Sequence, residues 1–400
     1  MNVGVQRGAI ATVQVLGLAV WFSMSAVVPS LRSEWGLTAG GAVWLTASVQ
    51  FGFVAGALTS TALNLADQVP APRLLSVSAA AAAACTVVLA VSVEGLALAI
   101  PLRFLTGVFL AGVYPVGMKL MASWAQRSGR GLTMGILIAA LTLGSTLPHL
   151  IAGVGSLPWR GVLLVAAAAG VSGSAISLLL VRLGPHAGPT APARNPRYAL
   201  TMFTEREPRL VNLGYFGHMW ELYALWTWIP TFLQATGAAE ELPVPVGIAV
   251  FLAMGIGGAI GCLVGGWGAD RYGRPPAALA ALLVSGACCL LSPLLFHSAP
   301  ALLLAFCAVW GAAVIADSGV FSTTLSEVAD QRYVGTALTA QTAIGFALTV
   351  ITIQLTPVLA EAIDWQYAFL LLAPGPLAGA VAMRVLGSRA SSTAPSPHTK

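Results

Sequence analysis

The sequence predicts an all-α polytopic membrane protein with about twelve transmembrane helices in two six-helix repeats. Composition is the first reason: only 8% of residues are charged and 57% are hydrophobic, with a mean hydropathy of +0.85. A water-soluble chain of 400 residues cannot cover its surface with so few charges. Charge placement is the second, because the charges cluster and leave uncharged runs of about 20 residues, the length that crosses a bilayer. The third is internal repetition at a nearly constant offset.

Apolar runs bounded by turn-forming or charged residues lie near 9–31, 39–63, 73–93, 96–121, 132–155 and 160–182, then 209–235, 244–268, 277–296, 299–325, 335–360 and 366–386. The first run is too long for a cleaved signal peptide and reads as a true first helix. Gly184 to Pro208, rich in Pro, Ala, Gly and Arg, reads as a linker between a first half at 1–183 and a second at 209–387. Tyr198–Glu207 within it suits a short surface helix, and 388–400 reads as a disordered tail.

Basic residues orient the chain. With the N-terminus inside, sixteen of the nineteen Lys and Arg residues fall in inner segments, Arg127, Arg130, Arg271 and Arg274 among them. Only Arg32 and Arg160 fall outside, while Glu34, Glu94, Glu240, Glu241, Glu361 and Asp364 mark the outer side. This asymmetry follows the positive-inside rule and places both termini in the cytoplasm. It also explains the net charge of +5 by topology, with no nucleic-acid partner. No N-x-[ST] sequon occurs, in keeping with a bacterial inner (plasma) membrane protein.

The halves repeat. Gly52, Gly56 and Ser60 form a small-residue stripe in span 2, and Gly257, Gly261 and Gly265 form one in span 8, at an offset of 257 − 52 = 205. Asp67 and Asp270 differ by 270 − 67 = 203, and Trp159 and Trp365 by 365 − 159 = 206. The stripes allow close helix approach and suit packing across the two halves. The five cysteines all lie in apolar runs without a C-x-x-C pair, so they read as small buried hydrophobes.

Between spans 8 and 9 stands Gly265-Gly266-Trp267-Gly268-Ala269-Asp270-Arg271-Tyr272-Gly273-Arg274. It resembles the G-x-x-x-D-R-x-G-R loop signature of the major facilitator superfamily, matched by Gly266, Asp270, Arg271, Gly273 and Arg274. The first-half copy, Asn64 to Arg73, keeps Asp67 but has Gln68 in place of the arginine and Pro70 in place of the glycine. Arg103 to Gly107 is similar to the R-x-x-x-G element of span 4, and Gly135, Gly144 and Pro148 partly match the glycine–proline motif of span 5. The resemblance spans roughly 9–386. It implies two six-helix units moving by alternating access around a midplane site, with each loop acid capping a helix of the other half. Asp270 is then expected to face Gly131 and Asp67 to face Gly335, with Arg271 and Arg274 meeting Glu327. Because Gln68 and Lys119 replace the corresponding charges, no such network is expected in the first half, and the Asp270 gate is expected to be the stronger.

Ionisable residues inside spans are the candidates for chemistry, since a charge in hydrocarbon costs several kcal/mol. Glu221 lies about 18 Å into span 7, counted at 1.5 Å per residue. His218 precedes it by one helical turn, and Tyr215, Trp220, Tyr223, Trp226 and Trp228 are close in sequence. Such a group reads as a proton-coupling site with an aromatic binding wall, or as an inter-helix hydrogen bond that orders the bundle. Arg103 reads as a site for an anionic substrate, as a neighbour of the proton-carrying carboxylate, or as a cation held by backbone carbonyls. Asp317 suits structural pairing, His149 a partly wet helix end, and Gln50, like Gln14, Gln341 and Gln354, either a cavity wall or helix packing.

No Walker A sequence is present: Gly112 and Gly117 have the spacing, but Met118 follows. No hydrolase or metal-ligand motif occurs either, so neither an enzyme nor a cofactor is expected. The expectation is a secondary active transporter of a small solute, coupled to protons and acting as a monomer in the lipid bilayer. The alternatives are uptake of a small anion through Arg103, and a transporter-like sensor that no longer cycles.

Overall fold

The computed structural model describes residues 2–154, 158–189, 195, 197–237 and 240–390. Twelve long helical stretches run back and forth between two faces. They are α1 (Val3–Glu34), α2 (Ala39–Leu63), α3 (Ala71–Ser92), α4 (Leu96–Leu110 and Tyr114–Ser123), α5 (Arg130–Val154) and α6 (Trp159–Leu179). The second half has α7 (Arg206–Ala235), α8 (Val246–Val250, a π-helical stretch Phe251–Gly257, and Gly258–Tyr272), α9 (Arg274–Leu295), α10 (Pro300–Ala316 and Ser318–Val328), α11 (Val334–Ile363) and α12 (Trp365–Ala368, Phe369–Leu372 and Pro374–Ala390). Helices satisfy their own backbone groups, which hydrocarbon demands.

Eleven of the twelve are long and apolar enough to cross a membrane. The exception is α7, whose Asn212, His218 and Glu221, with its Tyr and Trp residues, lower its hydropathy. The least apolar helix is the one that carries the candidate chemistry. It begins at Arg206, three residues before the expected start, directly after a short helix Tyr198–Thr204. At the other end α12 continues to Ala390, past the expected end at 387, and residues 391–400 of the expected tail lie outside the described residues. So do 190–194 and 196 of the linker, and the side chains of Pro148 and His149.

Helix ends follow local chemistry. Thr38 caps α2 by accepting from the Gly41 N–H. Pro115 has no N–H to offer the Ala111 carbonyl, and α4 breaks there. Span 10 breaks at Asp317, so the two interruptions recur at nearly the same offset as the glycine stripes. Gly273 makes the whole connection between α8 and α9 at φ +99°, which explains why the loop signature needs glycine at that position. The first half, with Pro70 there, turns earlier instead. Asn64 adopts φ 51° at the end of α2, and a one-turn helix Leu65–Gln68 follows.

The glycine stripes pack within each half, which corrects the expectation that they join the two halves. A Cβ on Gly52 or Gly56 would strike the backbone of α4 at Phe104 and Val108, and one on Gly261 or Gly265 the backbone of α10 at Ala312 and Ala316. Close backbone contact of this kind locks helices together, which suits a rigid half rather than a sliding seam. Across the halves, α5 lies against α8 and α2 against α11. The core continues through both seams, with Phe53 and Phe346 at 4.7 Å between ring centroids.

Candidate functional site

A cavity lies between the two seams. Its walls come from both halves: Trp21 and Phe22 of α1, Tyr114 of α4, Tyr223 and Trp226 of α7, and Phe346 of α11. Tyr215 also lines it, while Thr142, Ser145 and Ser318 add hydroxyl groups. Among the described residues, no Lys, Arg, His, Asp or Glu lines it. Stacked and tilted rings brace the aromatic wall, with Trp21 at 5.2 Å and Tyr223 at 5.0 Å from Phe346. The Trp226 indole N–H is buried without a hydrogen-bond partner. Tyr215, Tyr223 and Trp226 are the wall residues that the sequence suggests, and Trp21, Tyr114 and Phe346 are ones it does not. A tyrosine followed by proline in mid-span was the available signal for Tyr114.

Directly behind this wall a buried histidine meets a buried carboxylate. His218 Nδ1 is 2.8 Å from Asp317 Oδ1, and the two side chains are 1% and 2% exposed. Their sequence neighbours Met219 and Ser318 face the cavity. The imidazole packs beside the rings of Tyr215 and Phe321, each 5.9 Å away and 6.2 Å from one another. His218 Nε2 is buried and has no partner. Asp317 is also the residue at which α10 breaks, so the pair occupies a point where backbone geometry changes.

Glu221, one helical turn from His218, has hydrogen-bond partners of its own. Its Oε1 accepts from Ser285 Oγ at 2.6 Å, Trp310 Nε1 at 2.6 Å and Cys289 Sγ at 3.3 Å. These donors come from α9 and α10, and Glu221 is absent from the cavity wall. The aromatic setting expected around it is different in fact: Trp220 and Trp228 donate to the backbone carbonyls of Leu371 and Ile353. The hydrogen bonds of Glu221 therefore tie α7 into its own half. Glu221→Ala leaves buried donors unpartnered and is expected to cost about 2–5 kcal/mol, read as a lower thermal midpoint. Glu221→Gln, which keeps the acceptor, is expected to retain concentrative uptake; its loss would return Glu221 to the coupling role.

Arg103 is 1% exposed, and its guanidinium donates to the carbonyls of Val20 at 2.9 Å and Trp21 at 3.1 Å. It does not line the cavity. The geometry corrects the anion-binding expectation: both bonds pin α1 to α4 behind Trp21, where a planar fork matches two adjacent carbonyls. Arg103→Lys is expected to cost about 1–3 kcal/mol of stability while leaving ligand affinity within twofold, measured by thermal melts and equilibrium binding. Gln50 is half-buried and also lies off the cavity. Gln14 and Gln341 donate to the Val113 carbonyl and to Asn212 Oδ1, contacts that hold helices together.

At the basic face, each half caps a helix of the other. Asp270 Oδ1 accepts from Gly131 N–H at 2.9 Å and its Oδ2 from Leu132 N–H at 2.8 Å, in the first turn of α5. Arg274 bonds Asp270 at 3.1 Å, Glu327 at 2.9 Å and the Arg127 carbonyl at 2.7 Å. Arg271 is exposed and joins none of these contacts. Gly266 supplies the close approach, since a Cβ there would meet the backbone of Gly131 and Leu132.

Asp67 does the same at α11, and more densely. Its oxygens accept from Gly335 N–H at 2.9 Å, Thr336 N–H at 2.6 Å and Thr336 Oγ1 at 2.7 Å. Lys119 adds an ion pair, and the Asp67 side chain is 1% exposed against 14% for Asp270. The absence of a first-half charge network was therefore a wrong expectation. Lys119 reaches Asp67 from α4 and replaces the arginine missing from the loop, a substitution by position that local sequence does not reveal.

Two membrane-embedded halves, a cavity at their interface and reciprocal caps on one face define a transporter fold. The chain belongs to the Major Facilitator Superfamily, whose family model matches residues 10–353 and 211–400. Its relatives are transporters and not enzymes. A gallate transporter from Pseudomonas putida is 26% identical over 306 residues, which is 67% of this chain and 66%, just under two thirds, of that relative. Among solved structures, the human organic anion transporter MFSD10 superposes with a TM-score of 0.73 at 17% identity, covering 94% of this chain and 99% of that one. FucP in the outward conformation gives 0.72 at 13% identity over 95% and 98% of the two chains. The proton:xylose symporter XylE gives 0.73 at 13% identity over 96% of each.

Proposed function

We propose that this chain is a proton-coupled secondary transporter of a small aromatic solute, working by alternating access as a single chain. The observation that carries the coupling is the buried His218–Asp317 pair immediately behind the cavity wall. An ionised Asp317 beside a neutral His218 carries one net negative charge in a region where uncompensated charge is costly. One proton taken up at the imidazole converts it to a compensated ion pair, and His218 Nε2 is unoccupied. Tyr215 and Ser318 connect this event to the cavity, because each lines it and each adjoins one member of the pair.

The cavity supports the solute class. Rings on several sides favour a flat, apolar body, and the hydroxyl groups and the free indole N–H of Trp226 suit a few polar substituents. The similarity to a transporter of gallate, an aromatic acid, supports the same class. Anion uptake through Arg103 has lost its geometric basis, and the sensor reading rested on a degraded first loop that in fact caps its helix. The basic face is the cytoplasmic one in this reading, with both termini there, in a bacterial inner membrane.

A thermal-stabilisation screen of small aromatic acids, phenols and sugars on purified protein, followed by uptake into proteoliposomes under an imposed pH gradient, tests the proposal. Stabilisation by aromatic compounds and accumulation only with an inward proton gradient are expected. Stabilisation by sugars alone, or accumulation indifferent to the gradient, overturns it.

A further inference from the structure

A second cavity opens on the basic face, beneath the start of the linker, and nothing in the transport reading uses it. Its walls include Lys119, Ser123 and Arg130 from the first half, His186 from the linker, and Ser326 and Gln331 from the second half. No acid lines it. The acids that adjoin these residues already face basic partners: Asp67 faces Lys119, Asp270 and Glu327 face Arg274, and Asp330 faces Arg332.

Arg130 feels the charge of Glu327, which Arg274 engages directly. Among the described residues it has no ion pair, and its one hydrogen bond is a 3.5 Å contact from Nη2 to the Ala125 carbonyl. Its Nε is buried without a partner. A guanidinium offers five donors in a fixed fork, and a half-buried one with so few of them used is set up for an oxyanion. The linker wall is anchored: Gly184 N–H donates to Ser123 Oγ at 2.9 Å and His186 N–H to the Ser123 carbonyl at 3.0 Å.

We infer that this pocket binds a phosphate-type oxyanion, held chiefly by Arg130 with His186 and Lys119 at its sides. Because its walls come from both halves, an occupied pocket holds the basic-face gate closed and slows the transport cycle. The oxyanion is either free in solution or the headgroup of an anionic lipid.

The thermal midpoint of delipidated protein in detergent, titrated with inorganic phosphate against chloride at equal ionic strength, is the first arm. The second compares nanodiscs of phosphatidylglycerol with nanodiscs of phosphatidylcholine. A phosphate-specific rise in detergent identifies the free anion, and a rise only in phosphatidylglycerol identifies the headgroup; either supports the site. Arg130→Gln is expected to weaken the response about tenfold, Arg130→Lys less, and Arg73→Gln, an exposed change on the same face, not at all. No specific rise in either arm, or an equal response from Arg130→Gln, overturns the inference. Because the readout is binding and needs no transported solute, it stands or falls separately from the proton-coupling proposal.

Discussion

Asp317→Asn is expected to abolish proton-driven accumulation while leaving exchange of the solute across the membrane. The substitution keeps the size and polarity of the side chain but removes the charge that a proton on His218 compensates. With no net negative site, uptake of a proton creates an unpaired buried cation, a state costing several kcal/mol. A cost of about 3 kcal/mol is already a factor of more than 100 in proton occupancy. His218→Gln should produce the same phenotype, since the amide cannot take up the proton. Concentrative uptake and counterflow, measured side by side in proteoliposomes, separate the two activities. An Asp317→Asn protein that still accumulates solute against its gradient places the coupling elsewhere.

The second large effect is at the gates. Asp67→Asn is expected to open the basic face more than Asp270→Asn does, the reverse of what the loop sequences imply. Asp67 accepts three hydrogen bonds across the halves, two from the first turn of α11 and one from a hydroxyl, and pairs with Lys119. An amide must turn its NH2 towards one of those donors and leaves Lys119 without its counter-charge. With its remaining oxygen kept towards Lys119, the amide loses both Thr336 contacts of Oδ2, and two charge-assisted bonds across the halves at about 1.5 kcal/mol each shift the closed–open equilibrium by roughly a hundredfold. Asp270 accepts two cross-half bonds and is more exposed, and Arg274 keeps its bond to Glu327 when Asp270 is changed. A shift of about tenfold is expected there. The measurement is labelling of a reporter cysteine at Ser318, on the cavity wall, by an impermeant maleimide applied from the basic face. Equal labelling in the two variants contradicts the ordering.

Much of the molecule was readable from one chain because the bilayer constrains sequence so strongly. Twelve spans, the internal repeat, the loop signature and the caps at Gly131 and Gly335 follow from hydropathy, spacing and family resemblance. Backbone groups cannot go unpaired in lipid, so any apolar run of sufficient length becomes a helix. Even α7, which falls short in hydropathy, stands out as a run at 209–235 bounded by charged residues.

Glu221, His218, Asp317 and Arg103 are conspicuous from composition alone, because ionised groups are rare in spans. Their partners come from the packing of the helices. Glu221 and His218 share a helix and lie one turn apart, yet one serves α9 and α10 as a packing acceptor while the other meets Asp317 behind the cavity. Whether Arg103 faces ligand or carbonyl, whether a glycine stripe packs within a half or between halves, and whether Lys119 can stand in for a missing arginine depend on helix rotation and neighbours. Those are fixed by contacts between residues far apart in sequence, and a one-dimensional pattern carries no record of them.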